Sequence, residues 1–445
     1  MERYDVVVCG GGAAGMFAAI QAGYAGARAL LLEPNDRLGR KLFITGKGRC
    51  NLTNRCAWQE VLKNVPRNPR FLYSALSGFT PEDTITFFEA HGCETKTERG
   101  NRVFPVSDKS ASVVEALKTA LKYAGVELCR ARAREVLTEN GKVRGVRTDR
   151  GEVAAPAVIL ATGGMSYPAT GSTGDGYRMA KALGHTIVSP VGSLVPMVED
   201  GDFCSKMQGL ALKNVNVCLF ESGFCEACRD RQGLTAPFQS AQNKEPAFRV
   251  PVGKPVFEEF GELLFTHFGL SGPVILSASA HMEQGKAYII SIDLKPALDE
   301  EKLDARILRD FAENKNRSFE NALSGLYPKT MIPVVVARTG IPGNTKVNAV
   351  TREQRRALLE LTKHFTVKIS GLRPVEEAII TSGGVNTKEI DPRTMESKLV
   401  PGLYFAGELI DVDAYTGGFN LQIAWSTACV AANAAAQNTA RNPEL

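Results

Sequence analysis

Two short apolar runs open the chain. Tyr4–Cys9 (YDVVVC) is interrupted only by Asp5, Ala29–Leu32 is wholly apolar, and a small-residue stretch, Ala13–Ala25, lies between them. Runs of this length without alternation fit strands buried on both faces, and the intervening pattern fits a helix, so the start of the chain reads as a βαβ unit. Further helices are expected at Pro81–His91 and Ser110–Tyr123. Residues 130–153 read as strand, Asn140-Gly141 turn and strand, and 156–164 (PAVILATGG) as another buried strand ending in glycine. From about Ser189 to Val347 the pattern changes to short strands followed by helices near 272–282, 299–314 and 319–326. The opening pattern returns late, with a strand at 402–407 (GLYFAG) and a long helix at 418–436. The expected organisation is a first domain in two pieces, 1–190 and 348–445, with a β-rich then helical insert at 191–347. The fold class is α/β.

Composition narrows the setting. The chain has 445 residues, 44% hydrophobic and 23% charged, ordinary for a globular protein of two or three domains. No apolar run reaches the ~18 residues of a membrane span. The first strand begins too early to leave room for a signal peptide, so a cytoplasmic location is the expectation. A net charge of +5 allows an anionic substrate or RNA without demanding either. The ten cysteines are scattered and read as free thiols.

The chemistry sits at the glycines. Gly10-x-Gly12-x-x-Gly15 follows a strand and opens a helix, the arrangement that seats a pyrophosphate on unpaired N–H groups. Glu33 ends the second strand, where its carboxylate can accept from ribose hydroxyls and would repel a ribose phosphate. This is a Rossmann dinucleotide fingerprint, and three later corners favour FAD over NAD. Ala161-Thr162-Gly163-Gly164 ends a strand after the hairpin. Ala406-Gly407-Glu408 ends another, followed by Asp411 and Asp413. Gly417-Gly418-Phe419-Asn420-Leu421-Gln422 opens the long helix, whose positive end suits the N1–C2=O2 edge of a reduced flavin. In the loop from Gly39 to Asn51, glycines interleave Arg40, Lys41, Lys47 and Arg49, so the backbone can approach a planar ring while the cations offset charge.

Three stretches resemble one bacterial flavoprotein family: GRKLFITGKGRCNLTN (39–54), LLFTHFGLSGPVIL (263–276) and 378–428, which contains LYFAGELIDVDAYTGGFNLQ. The family is similar to the fumarate-reductase and glutathione-reductase flavoproteins in its FAD domain. It includes flavin-dependent enone reductases of bile-acid dehydroxylation, aminoacetone oxidases and a ribosomal-RNA dihydrouridine synthase. The likeness covers about residues 1–200 and 257–436. It implies FAD contacts at Gly10, Gly12, Gly15, Glu33, Lys41, Arg49, Cys50, Thr162, Gly163, Asp411, Gly418, Asn420 and Gln422, with an adenine contact near Ala133. Ala14, Gly48, Asn51, Gly407, Phe419 and Leu421 complete the candidate cofactor set. Residues 223–255 look longer than the family's usual hairpin, which separates substrate choice from the resemblance.

Weaker signals admit two readings each. Cys225-x-x-Cys228 has metal-ligand spacing but no clear second pair, so no metal is expected. His267 could face the flavin as an acid or be a core or surface histidine. Ser271-Gly272-Pro273 reads as a helix start that could also present N–H groups to substrate. Tyr415 could donate a proton or simply pack, and Cys50 completes the catalytic candidates. Arg352, Arg355 and Arg356 read as a solvated helix face. The expected reaction is hydride transfer to a C=C conjugated with C=O, on a steroid-like 3-oxo small molecule. The alternatives are a uracil ring in rRNA, the reverse reaction of an amine oxidase, and a non-catalytic flavin sensor. NAD(P)H is a candidate donor, although no second dinucleotide fingerprint is present. Oligomeric state is open.

Overall fold

A computed structural model describes residues 3–221, 253–283 and 285–441. The chain forms two compact units, one of residues 1–193 with 374–445 and one of 194–373.

The first unit is built on a five-stranded parallel sheet. Its order is Leu403–Phe405, Ala157–Leu160, Val6–Cys9, Ala29–Leu32 and Glu127–Cys129. The three central strands are buried throughout, as continuous apolar runs require. The helices Ala13–Tyr24 and Phe419–Arg441 pack on each other, and alanines on both make close approach possible. Each helix also carries aromatic bulk. Phe17 and Trp425 lie 5.6 Å apart by ring centroid, and Phe17 meets Phe87 edge-on at 4.8 Å. Residues 133–154 form three antiparallel strands, one more than expected, because Gly151–Ala154 adds to the Asn140-Gly141 hairpin. The loop at 34–53 contains tight 3₁₀ turns at Leu42–Gly48.

The second unit is a closed antiparallel barrel. Its strands run Met197–Glu199, Gly269–Ser271, Phe257–Phe265, Ala211–Glu221, Tyr288–Asp293 and Phe365–Leu372, which pairs back to the first. Closure leaves no open edge. The helices Glu300–Glu313, Ile332–Thr339 and Arg352–Lys363 belong to this unit. The unit therefore extends to residue 373, where the sequence pattern placed a boundary at 347. The last strand is needed to close the barrel, and the preceding helix packs its leucines into the same core. Arg355 on that helix pairs with Asp304 at 2.7 Å and Arg356 with Glu360 at 3.0 Å, so both arginines have local acidic partners.

No helix among the described residues is long and apolar enough to cross a membrane. Cys225 and Cys228 lie outside the described residues. Among the described ones, no group of three or more His, Cys, Asp or Glu is arranged to hold a metal.

Candidate functional site

Four strands of the parallel sheet end level with one another. Cys9 pairs with Leu32 on one side and Leu160 on the other, and Leu160 pairs with Phe405. The next residues, Gly10, Glu33, Ala161 and Ala406, emerge along one line and border a solvent-open cleft. Ligands of open parallel sheets bind at such carboxyl ends.

The glycine fingerprint divides into two roles. A Cβ built on Gly15 would lie 1.7 Å from the Gly10 carbonyl oxygen, so this glycine lets the helix sit on the strand. A Cβ on Gly12 would meet no atom within 4 Å. The bare backbone there is not required by the protein's own packing; it keeps space open in the cleft. Gly12 caps the helix Ala13–Tyr24 without any side-chain hydrogen bond, so the first turn's N–H groups and dipole are available to an anion.

Glu33 is 8% exposed. One carboxylate oxygen accepts from Gly11 N at 2.7 Å, the other from Asn35 N at 2.8 Å and Asn35 Nδ2 at 2.6 Å. Lone pairs remain for a ribose hydroxyl. Lys41 donates to Ser166 Oγ at 2.6 Å and to Glu408 Oε2 at 2.7 Å. Glu408 also accepts from Thr381 N at 2.8 Å and Ser166 Oγ at 3.1 Å, so its charge is fully engaged. Ala14, Ala133, Thr162, Gly163, Gly407, Asn420 and Leu421 border the same cleft. Asn420 pins the preceding turn, accepting from Ala414 N at 2.8 Å and donating to its carbonyl at 2.6 Å.

Other candidates lie off the cleft. Gly48 and Asn51 do not border it, although Asn51 Oδ1 is buried without a partner among the described residues, as is Thr162 Oγ1 at the cleft wall. Both suit a ligand that carries donors. Arg49 is committed to Glu98 and Asp108, and its guanidinium stacks 4.1 Å from the Phe104 ring centroid. Gln422 is fully buried, accepting from Thr53 Oγ1 at 2.6 Å and Thr84 Oγ1 at 2.8 Å and donating to Phe79 O at 3.1 Å. Gly418 lets the helix start pass Thr53, since a Cβ there would lie 2.4 Å from the Thr53 carbonyl oxygen. Phe419 is buried beside it. Asp411 accepts from Asn68 Nδ2 at 3.0 Å, and burial pushes its carboxyl above the usual range.

Neither Cys50 nor Tyr415 borders the cleft, and His267 belongs to the other unit. Cys50 is fully buried, and desolvation pushes its thiol up to about 12, so it is not a ready acid or nucleophile. Tyr415 is half-buried, its backbone N donating to Asn64 O at 3.0 Å. His267 is an exposed residue of the barrel unit, its ring 4.9 Å from Phe268.

Sequence reading missed three cleft residues, Arg132, Asp175 and Asn35. Arg132 pairs with Asp175 at 2.7 Å across 43 positions, and Arg40 donates to Asn35 at 2.9 Å. Asn35 stands two residues after Glu33, a position from which a short amide can reach back to the carboxylate, and that proximity was the available signal. Arg132 and Asp175 carry no local signal.

A family model described as the HI0933-like protein Rossmann domain matches residues 4–434. The chain is 32% identical over 430 residues to the ribosomal RNA dihydrouridine synthase of Escherichia coli (strain K12), covering 96% of this chain and 97% of that protein. It is 30% identical over 443 residues to the 3-dehydro-bile acid delta(4,6)-reductase of Clostridium scindens, covering 98% and 100%. It is 28% identical over 440 residues to the ribosomal RNA dihydrouridine synthase of Haemophilus influenzae, covering 96% and 98%. Since the family model spans the first and the last strand of the parallel sheet alike, the chain belongs to the HI0933-like Rossmann family, FAD-dependent oxidoreductases built on this fold.

Proposed function

We propose that this protein saturates a C=C conjugated to a carbonyl, with a steroid-like 3-oxo small molecule as its substrate. The observation that carries the reading is a chemistry common to the named relatives. A delta(4,6)-reductase acting on a 3-dehydro bile acid and a dihydrouridine synthase both add hydrogen across a double bond in conjugation with C=O, and both match this chain over at least 96% of its length.

Bound FAD, once reduced, would supply the hydride. The chain's own contribution is position and polarity. Gly12 and the first turn of its helix would seat the pyrophosphate, Glu33 a ribose, and Thr162, Asn420 and Leu421 would border the rest of the cofactor. Lys41, held by Glu408, keeps a positive charge at the cleft wall. NAD(P)H is the proposed electron donor, and the barrel unit is assigned substrate selection.

Reduction of a uracil ring in RNA is the second reading, favoured by the 32% and 28% identical relatives. The test is product identification. Under anaerobic conditions with NADPH or NADH, a 3-oxo-4-ene steroid should gain two mass units, with loss of its conjugated ultraviolet band. Unchanged steroid beside dihydrouridine in a ribosomal RNA fragment would transfer the assignment to RNA. Peroxide release with an amine in air would make the protein an oxidase.

A further inference from the structure

Segment 53–68 follows the turn at 411–418 step by step. Asn54 Nδ2 donates to Gly417 O at 3.1 Å, Tyr415 N to Asn64 O at 3.0 Å, and Asn68 Nδ2 to Asp411 O at 2.8 Å. The same turn contributes Val412 to the cofactor cleft, and the helix it opens contributes Asn420 and Leu421. Within this segment Arg67 is half-buried and donates through Nη1 to the Ser382 hydroxyl. Ser382 lies two residues along its strand from Ile380, which borders the cleft. A separation of two places both on one face of the strand.

Behind Ser382 lies Asp413, only 1% exposed. Its carboxylate accepts from Ser382 Oγ at 2.9 Å and Ser193 Oγ at 2.7 Å. A carboxylate buried on neutral hydroxyls alone is costly, and a nearby cation offsets that cost. Arg67 reaches this carboxylate only through the Ser382 hydroxyl; its charge also acts on Asp411, and it forms no ion pair among the described residues. A purely structural counter-ion would engage the carboxylate directly with its two-pronged fork. Here the serine hydroxyl stands between them, which fixes the guanidinium in direction and leaves most of its donors uncommitted. None of those donors is a buried orphan.

We propose that Arg67 binds the substrate oxygen that gains negative charge during reduction, with Ser382 and Asp413 as positioning residues. This rests on the reaction proposed above. There the β-carbon takes a hydride from reduced flavin, electron density moves to the carbonyl oxygen, and the α-carbon then takes a proton from water. The guanidinium faces the oxygen in the intervening enolate state, where a charged donor stabilises most.

The test compares Arg67→Met and Arg67→Lys with the unaltered holoprotein, by binding and by turnover. The binding probes are substituted phenols of graded acidity, whose phenolates imitate an enolate oxygen, titrated against the oxidised protein by flavin absorbance. The unaltered protein should bind the more acidic phenols more tightly. Arg67→Met should keep its flavin, lose that dependence, and reduce enone about 100-fold more slowly in kcat. Arg67→Lys should recover about a tenth of the activity. Normal enone turnover by Arg67→Met overturns the role of Arg67 and leaves the reductase reading intact. An unaltered protein that is inert to enone but shows the Arg67-dependent phenol series overturns the enone reading and supports the oxyanion site. Loss of flavin from Arg67→Met with unchanged turnover per remaining flavin makes Arg67 a cofactor residue and overturns the inference.

Discussion

Lys41 and Glu408, 367 positions apart in the chain, meet at 2.7 Å in the wall of the cofactor cleft. The contact ties the basic loop after Gly39 to the end of the last parallel strand, and it joins the two sequence pieces of the Rossmann unit. The side chains are 21% and 12% exposed, so the pair is shielded but not dry. Glu408→Gln should leave Lys41 with an uncompensated charge and destabilise the unit by about 2 kcal/mol. Denaturant unfolding of the flavin-free protein measures this. A change below a few tenths of a kcal/mol would mean that the pair contributes no stability.

Gly12 and Gly15 should respond oppositely to a methyl group. Gly15→Ala puts a Cβ into the Gly10 carbonyl and should cost more than about 3 kcal/mol or abolish soluble expression. Gly12→Ala has room in the protein and should keep the unfolding midpoint of the flavin-free form, while FAD affinity falls at least about tenfold. Retention of full flavin by a folded Gly12→Ala protein would remove the pyrophosphate seat from that position.

His185 sets an acid limit on stability. The Ser397 hydroxyl oxygen accepts from Leu399 N at 3.0 Å and Val400 N at 2.9 Å, so its proton goes to His185 Nε2 at 2.9 Å, which requires a neutral ring. Burial lowers the histidine's pKa, against the opposing pull of Glu389. The unfolded chain therefore takes up this proton first. The stabilisation is complete above about pH 6.5 and is lost as pH falls below it. Unfolding free energies of the unaltered protein and His185→Gln at pH 7.5 and 5.5 should show a steeper acid loss in the former. Parallel profiles would contradict the assignment.

Cys50 should be dispensable for chemistry. Its thiol is buried and pushed up to about 12, so Cys50→Ser should reduce enone within about twofold of the normal rate, and thiol reagents should label the folded protein slowly. A tenfold drop in kcat with normal flavin content would restore a chemical role.

Local chemistry was legible in the sequence, and long-range closure was not. Gly10, Gly12, Gly15 and Glu33 act over one βαβ unit, and their spacing alone carries the reading. The strand Phe365–Leu372 was assigned to the wrong side of a boundary because its partner, Met197–Glu199, lies about 170 residues earlier and only the closed barrel demands it. The motif residues Arg49 and Gln422 look like cofactor ligands by position, yet each is consumed by internal partners that no spacing rule reveals: Glu98 and Asp108 for the first, Thr53 and Thr84 for the second. Arg67 was passed over because its meaning depends on Ser382 and Asp413, more than 300 positions away.

The central claim is tested most directly by the oxidative half-reaction. Flavin bound to the protein is reduced without oxygen and mixed separately with a 3-oxo-4-ene steroid, a uridine-containing ribosomal RNA fragment, and air-saturated buffer, while absorbance near 450 nm is followed. The account predicts rapid return of the oxidised flavin spectrum with the steroid and a slower return with the other two. Rapid reoxidation by oxygen alone, with no response to either unsaturated carbonyl compound, would contradict it.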